Sequence, residues 1–140
     1  MNNRFKIAII GLLALLASCL YLYFEFNRLP EDIFTADTDV KITSRTLAKS
    51  FKTNETRANA EFVEKTIEVV GSIEEITNIN NRYTLLLQGR SKANYVICDL
   101  SASELEEVKK LQLGQTVRIK GICAGYLMDV IMLNCIIING

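Results

Sequence analysis

Thr66-Ile67-Glu68-Val69-Val70-Gly71-Ser72-Ile73-Glu74-Glu75-Ile76, residues 66–76, is the stretch whose reading decides the fold. Its pattern has a period of two. Ile67, Val69, Gly71 and Ile73 fall on one face; Glu68, Val70, Ser72 and Glu74 fall on the other. Successive strand residues point to opposite sides of a sheet, so this alternation predicts a half-buried β-strand. Gly71 interrupts the apolar face mid-strand, which suits the sharp bend of a barrel corner.

The period of two continues toward the C-terminus. Residues 78–81 are a turn signal and residues 82–88 a second strand. Residues 89–93 form a polar loop, and residues 94–100 a third strand with Val96, Cys98 and Leu100 inward. Residues 101–111 predict a short helix. Ser101 and Glu104 stand at capping-box spacing, Leu105, Val108 and Leu111 form the apolar stripe, and Glu104, Glu106 and Glu107 read as its wet face. Residues 115–123 are a fourth strand, with Val117 and Ile119 inward and Arg118 and Lys120 outward. Residues 124–128 turn, and 129–138 are a nearly all-apolar fifth strand.

Toward the N-terminus, residues 44–62 read as helical. Ser44 is the expected cap, Leu47, Ala48 and Phe51 share a face, and Asn54 can cap a second turn carrying Ala58 and Phe62. Residues 27–43 hold the only proline, Pro30, and read as an extended linker. The order is helix, three strands, helix, two strands. That predicts an all-β domain with minor α: a five-stranded OB-fold barrel, a helix between strands three and four, and an N-terminal helix before it. Closure would remove the exposed edges of such apolar strands. A split antiparallel sheet with packed helices is the main alternative.

Residues 7–24 carry no charge. A helix of that length spans about 27 Å, close to the hydrocarbon thickness of a bilayer. Arg4 and Lys6 precede it; Glu25, Arg28, Glu31 and Asp32 follow it. The excess of positive charge before the segment puts residues 1–6 in the cytoplasm and residues 27–140 outside, with residues 7–26 as the anchor. Tyr21, Tyr23, Phe24 and Phe26 suit an interfacial aromatic belt. Leu16-Ala17-Ser18-Cys19 also matches a bacterial lipobox, which would make Cys19 a lipidation site. Against that, the run stays apolar for five positions beyond Cys19. Both readings tether an exported domain at the bacterial inner membrane, on the periplasmic side.

The chain of 140 residues suffices for one domain plus an anchor. It holds 16 basic and 16 acidic residues; without Arg4, Lys6 and Glu25, the rest has 14 and 15. A protein living on general phosphate attraction usually shows a basic excess. The absence of His removes the commonest general base and metal ligand. Cys19, Cys98, Cys123 and Cys135 form no CxxC pair, so neither a zinc site nor a redox motif is expected. No cofactor is implied.

Residues 62–73 (FVEKTIEVVGSI), 113–135 (LGQTVRIKGICAGYLMDVIMLNC) and 47–62 together resemble the tRNA_anti-like proteins, small bacterial OB-fold proteins often carrying an anchor or lipoprotein signal. The most specific element is Gly121, Cys123 and Gly125, followed by Asp129 and Cys135. The resemblance implies an OB barrel and nucleic-acid binding as one role. It brings no catalytic residue.

Three candidate sites follow. Arg82, Tyr83, Arg90, Lys92 and Tyr95 cluster around the second and third strands, the face where OB folds bind oligomers; Arg118 and Lys120 could extend it. The same residues also fit an ordinary solvated hairpin. A Cys123–Cys135 disulfide is possible in an oxidising compartment, although a hairpin centred near Tyr126 would place Cys123 opposite Val130; Cys98 with Cys135 is the other pairing, and three buried free thiols the third reading. Asp129 reads as a turn cap, without a second acid for acid–base catalysis. The expected role is a non-enzymatic binding module for an envelope protein or polymer. Nucleic acid is a less favoured partner. A third role is helix packing in an envelope assembly through Gly11, Ala14, Ala17 and Ser18.

Overall fold

The computed structural model describes residues 2–26 and 33–138. The chain divides into two compact units, 1–31 and 32–140, each described by itself. The first is one helix, α1 (Asn3–Phe26), long and apolar enough to cross a membrane and without a single buried residue. At 24 residues it is about 36 Å long.

The second unit begins with a short strand, β1 (Val40–Thr43), and two helices, α2 (Ser44–Thr53) and α3 (Glu55–Phe62). Then follow β2 (Thr66–Ile79), β3 (Arg82–Leu87) and β4 (Val96–Leu100). A 3-10 turn (Ala102–Glu104) leads into α4 (Leu105–Val108), and β5 (Thr116–Leu127) and β6 (Asp129–Ile137) complete the unit. The sheet order is β1-β2-β3-β4-β6-β5, and β5 pairs back onto β2. Strands β2 to β6 therefore close a five-stranded mixed barrel, with only β4 and β6 parallel within it.

Closure depends on β2 serving two partners. Its first half, Thr66 to Ser72, pairs with β5, and its second half, Ile73 to Ile79, pairs with β3. The change of partner coincides with a bulge between Ile73 and Glu75, which adds the local twist a barrel needs. Gly71 sits at that corner for a steric reason too: a Cβ there would lie 2.3 Å from Ser44 Oγ. Inward residues alternate as the sequence predicts. Ile67, Val69, Ile73, Leu85, Leu87 and Ile119 are among the most buried.

Helices α2 and α3 cover one end of the barrel through Leu47, Ala48, Phe51, Ala58 and Phe62, all buried. Asn54 separates them. Its N–H donates to Ser50 O at the end of α2, and its side chain accepts from Arg57 N at the start of α3. The cap of α2 is Thr43 rather than Ser44. Ser44 is buried, and its hydroxyl donates to Gln88 O instead.

Three further readings are corrected. Within residues 27–43, Val40–Thr43 forms a strand parallel to β2, with Val40 opposite Ile67. Lys120, expected outward, is buried: its ammonium donates to Ala36 O, so the segment before β1 covers that patch of β5. Glu104 is no wet-face residue. It is buried, makes no cap hydrogen bond, and its carboxylate accepts the N–H of Ile137 at 2.9 Å and the hydroxyl of Ser103 at 3.1 Å. Glu104→Ala is therefore expected to destabilise the barrel by about 1–3 kcal/mol, since it orphans a buried N–H. Urea unfolding followed by circular dichroism measures this; Glu106→Ala, on the exposed side, serves as the near-neutral control.

Candidate ligand-binding surface

The outer face of β3, β4 and β6 carries a half-buried apolar row. Leu86 stands opposite Ile97, and Ile97 opposite Ile131. Beside it run Thr77, Thr84 and Asp99 in register. Arg82 lies over this row, with Nε 2.9 Å and 3.1 Å from the two oxygens of Asp99 and Nη2 on Oδ2 as well. The bond and charge of Asp99 hold the guanidinium further protonated. Arg82 thus brings little free charge to the face.

Tyr83 stays beside Arg82, both lining a cavity of about 290 Å³ with Asp99, Leu100 and Leu105, while the other expected residues separate. Tyr83 is half-buried and packs against the core. Tyr95 is half-buried too; its N–H donates to Asp129 Oδ1 at 2.7 Å, and its carbonyl accepts from Val130 N at 3.0 Å. Asp129 therefore ties the start of β4 to the start of β6 and does not simply cap its own turn. Arg118 is exposed and lies 3.2 Å from Glu68, which also meets Lys41 at 3.9 Å. With Lys120 buried on Ala36, three of the five expected cations are engaged inside the protein.

Arg90 and Lys92 remain exposed on the loop between β3 and β4. Arg90 lines a cavity of about 250 Å³ with Lys49, Lys52, Thr53, Ser91 and Asn94. Among the described residues, no ion pair involves Lys49, Lys52, Arg90 or Lys92. Lys49 also lines a groove of about 550 Å³ between α2 and α3, with Thr46, Ser50, Asn54, Arg57 and Glu61. The cations of α2 were legible: 45, 49 and 52 follow the i, i+4, i+7 spacing that aligns Arg45, Lys49 and Lys52 on one helix face.

The glycine–cysteine motif is a packing device. A Cβ on Gly121 would lie 2.6 Å from Cys135 Sγ, so the bare glycine makes room for that thiol. Gly125 follows a bulge and has φ +145, outside the ordinary range of side-chain-bearing residues. The hairpin turns at Met128, and with the bulge between Cys123 and Gly125 this sets Cys123 opposite Met132, not Val130. Cys135 stands opposite Leu100. Cys98, Cys123 and Cys135 are buried free thiols, and no Cys123–Cys135 bridge is formed. Burial pushes the Cys135 thiol well up, and the neighbouring Cys98 adds to this; burial also raises Cys123. All three side chains are buried out of reach of a reagent, so these thiols are expected to resist a maleimide at neutral pH and to react only after unfolding. Mass counting of adducts before and after denaturant checks this. Among the described residues, no group of three His, Cys, Asp or Glu could hold a metal.

A five-stranded barrel with this order, with β4 parallel to β6 and a helix between them in the chain, defines an OB-fold protein. The chain belongs to the tRNA_anti-like family, whose profile matches residues 1–137. No curated protein matches it in sequence. Among solved structures, a lipoprotein of Klebsiella pneumoniae to which nucleic-acid binding is ascribed gives a TM-score of 0.59 at 16% identity, over 79% of this chain and 100% of that one. An assigned aspartyl-tRNA synthetase of Leishmania major gives 0.49 at 10% identity, over 85% of this chain and 25% of that one. The S. pombe Stn1–Ten1 complex gives 0.42 at 14% identity, over 54% and 59%. At 16% identity the likeness to the Klebsiella protein is one of fold.

Proposed function

We propose that this protein is a non-enzymatic OB-fold binding module, tethered by α1 at the bacterial inner membrane with its barrel on the periplasmic side. The observation that carries the tether is α1 itself. It is apolar, 24 residues long and buries none of them against protein. Such a surface is stable when lipid covers it. The positive residues Arg4 and Lys6 at its start favour an outward barrel. The helix continues through Cys19 to Phe26, which favours an uncleaved anchor over a lipidated cysteine.

The binding role draws on the outer row of Leu86, Ile97 and Ile131 beside Tyr95, a half-exposed apolar strip of the kind that takes a protein or polymer partner. A second reading, nucleic-acid binding, draws on the cations Lys49, Lys52 and Arg90, which line one cavity.

Protease added to spheroplasts should digest residues 33–138 while sparing α1, and carbonate at high pH should leave the protein in the membrane. A protected barrel would overturn the outward orientation, and a carbonate-soluble protein would remove the tether. Intact mass decides Cys19: an unprocessed chain is expected. For the partner, Tyr95→Ala should weaken retention of a specific envelope protein on the solubilised bait. Affinity for single strands that falls steeply with salt would favour the second reading instead.

A further inference from the structure

Two features at the α2 end of the barrel have no counterpart among the described residues. The first is the β5–β6 hairpin tip. Leu127 and Met128 are 77% and 80% exposed, and Met128 has φ +68. Turn positions with positive φ favour Gly, Asn or Asp. The β2–β3 hairpin follows that rule, with Asn80 at φ +53 and Asn81 at φ +63. The β5–β6 hairpin places an apolar residue in the same conformation, where it gains no burial. The second feature is the set of cations Lys49, Lys52 and Arg90, which make no ion pair among the described residues, with Lys92 on the same loop as Arg90.

These features share one rigid support. Tyr126, at the base of the tip, stacks on Phe51 with ring centroids 5.5 Å apart, and Phe51 precedes Lys52 on α2. Asp129, on the other side of the tip, holds Tyr95 N. Asn94 of the cation-bearing loop donates to Ala48 O on α2. An apolar tip and a group of cations thus rise from the same packed end.

We infer that this end docks on an anionic phospholipid surface, with Leu127 and Met128 entering the boundary of headgroups and acyl chains and Lys49, Lys52 and Arg90 meeting the phosphates. The inference rests on the tether reading above. Exposed apolar side chains flanked by cations are the chemistry of interfacial binding. The leash supports the choice of occupant. Residues 27–31 lie between the end of α1 and the start of the second unit at Asp32. Five residues reach at most about 18 Å. The barrel therefore stays at high effective concentration over its own bilayer, where weak attraction suffices. A nucleic-acid site on an OB fold offers aromatics for base stacking; this tip offers Leu and Met.

The chain has no Trp, so Leu127→Trp makes a single-site reporter. The full-length variant is placed in nanodiscs of phosphatidylcholine, with or without phosphatidylglycerol. The expected result is a blue-shifted emission, quenched by brominated acyl chains, on the phosphatidylglycerol discs alone. Adding Lys49→Ala and Lys52→Ala should weaken this docking roughly 25-fold, at about five-fold per cation. High salt should reverse it. Leu113→Trp, 67% exposed at the other end of β5, should stay in water throughout. Met128→Asn keeps the turn and should reduce quenching. An emission that stays that of exposed Trp on both discs, or shifts equally on both, overturns the proposal. So does a shift produced only by added single-stranded oligonucleotide. A protein that fails to co-migrate with either disc sinks the tether; one that co-migrates with its reporter in water sinks the docking alone.

Discussion

Phe51→Ala is expected to cost about 3–5 kcal/mol, the largest loss of any single side-chain truncation in the barrel. Phe51 is 1% exposed and sits where three parts of the chain meet. On one side its ring lies 5.9 Å from Phe62 of α3, and on the other it stacks at 5.5 Å and 16° on Tyr126 of β5. Removing it leaves a cavity bounded by two helices and a hairpin. Neighbours on three separate elements cannot collapse into it together, so the cavity contribution is retained. Denaturant unfolding of the detergent-solubilised protein, followed by circular dichroism, measures the loss. A loss below about 1 kcal/mol would mean that α2 and α3 do not belong to the barrel's cooperative core.

Gly89→Ala is the second. A Cβ at this position would lie 1.4 Å from the carbonyl oxygen of Asn94 and 2.6 Å from its carbon. Both are backbone atoms, so no rotamer change relieves the clash. Nor can Asn94 withdraw freely, because its side chain donates to Ala48 O and its N–H to Ser91 O. The loop must open, at about 3 kcal/mol or more. Gly114→Ala is the comparison. It has φ +81 and nothing within 4 Å of a built Cβ, so only the left-handed backbone is penalised, by about 1 kcal/mol. Equal losses at the two glycines would refute the crowding around Gly89.

The alternation in residues 66–76 made the barrel legible, because a strand with one buried face declares that face in its sequence: Ile67, Val69 and Ile73 are buried as read. The same logic located α2, where Leu47, Ala48 and Phe51 share a helical face. What stayed hidden needed partners distant in sequence. Glu104 stands at capping-box spacing, yet it answers an N–H 33 residues away. Lys120 alternates outward like any surface lysine, but a segment 84 residues earlier covers it. β1 is four residues long, too short for a period to register.

The candidate site was less legible for a similar reason. The cations around the β3–β4 hairpin were visible, but their availability was not. Arg82 reaches Asp99 only because β3 and β4 pair with Thr84 opposite Asp99, a register no spacing reveals. Arg118 is met by Glu68 through the pairing of β5 with β2. Of the cations left over, Arg90 shares a cavity with Lys49 and Lys52 of a helix assigned to packing alone.

The cover that the segment from Ile33 to Thr43 lays over β2 and β5 has a practical side. Ile33 is buried, Asp39 accepts the N–H of Thr66, and Lys41 approaches Glu68. A protein trimmed to start at Ser44 would retain all five barrel strands. It would nevertheless strip Lys120 of its acceptor and bare a row of unpaired amides along β2, the kind of margin on which copies of a chain assemble end to end. Recombinant work on the second unit should therefore begin at residue 33 or earlier, and precipitation of a shorter form would reflect a missing flap rather than a failed fold.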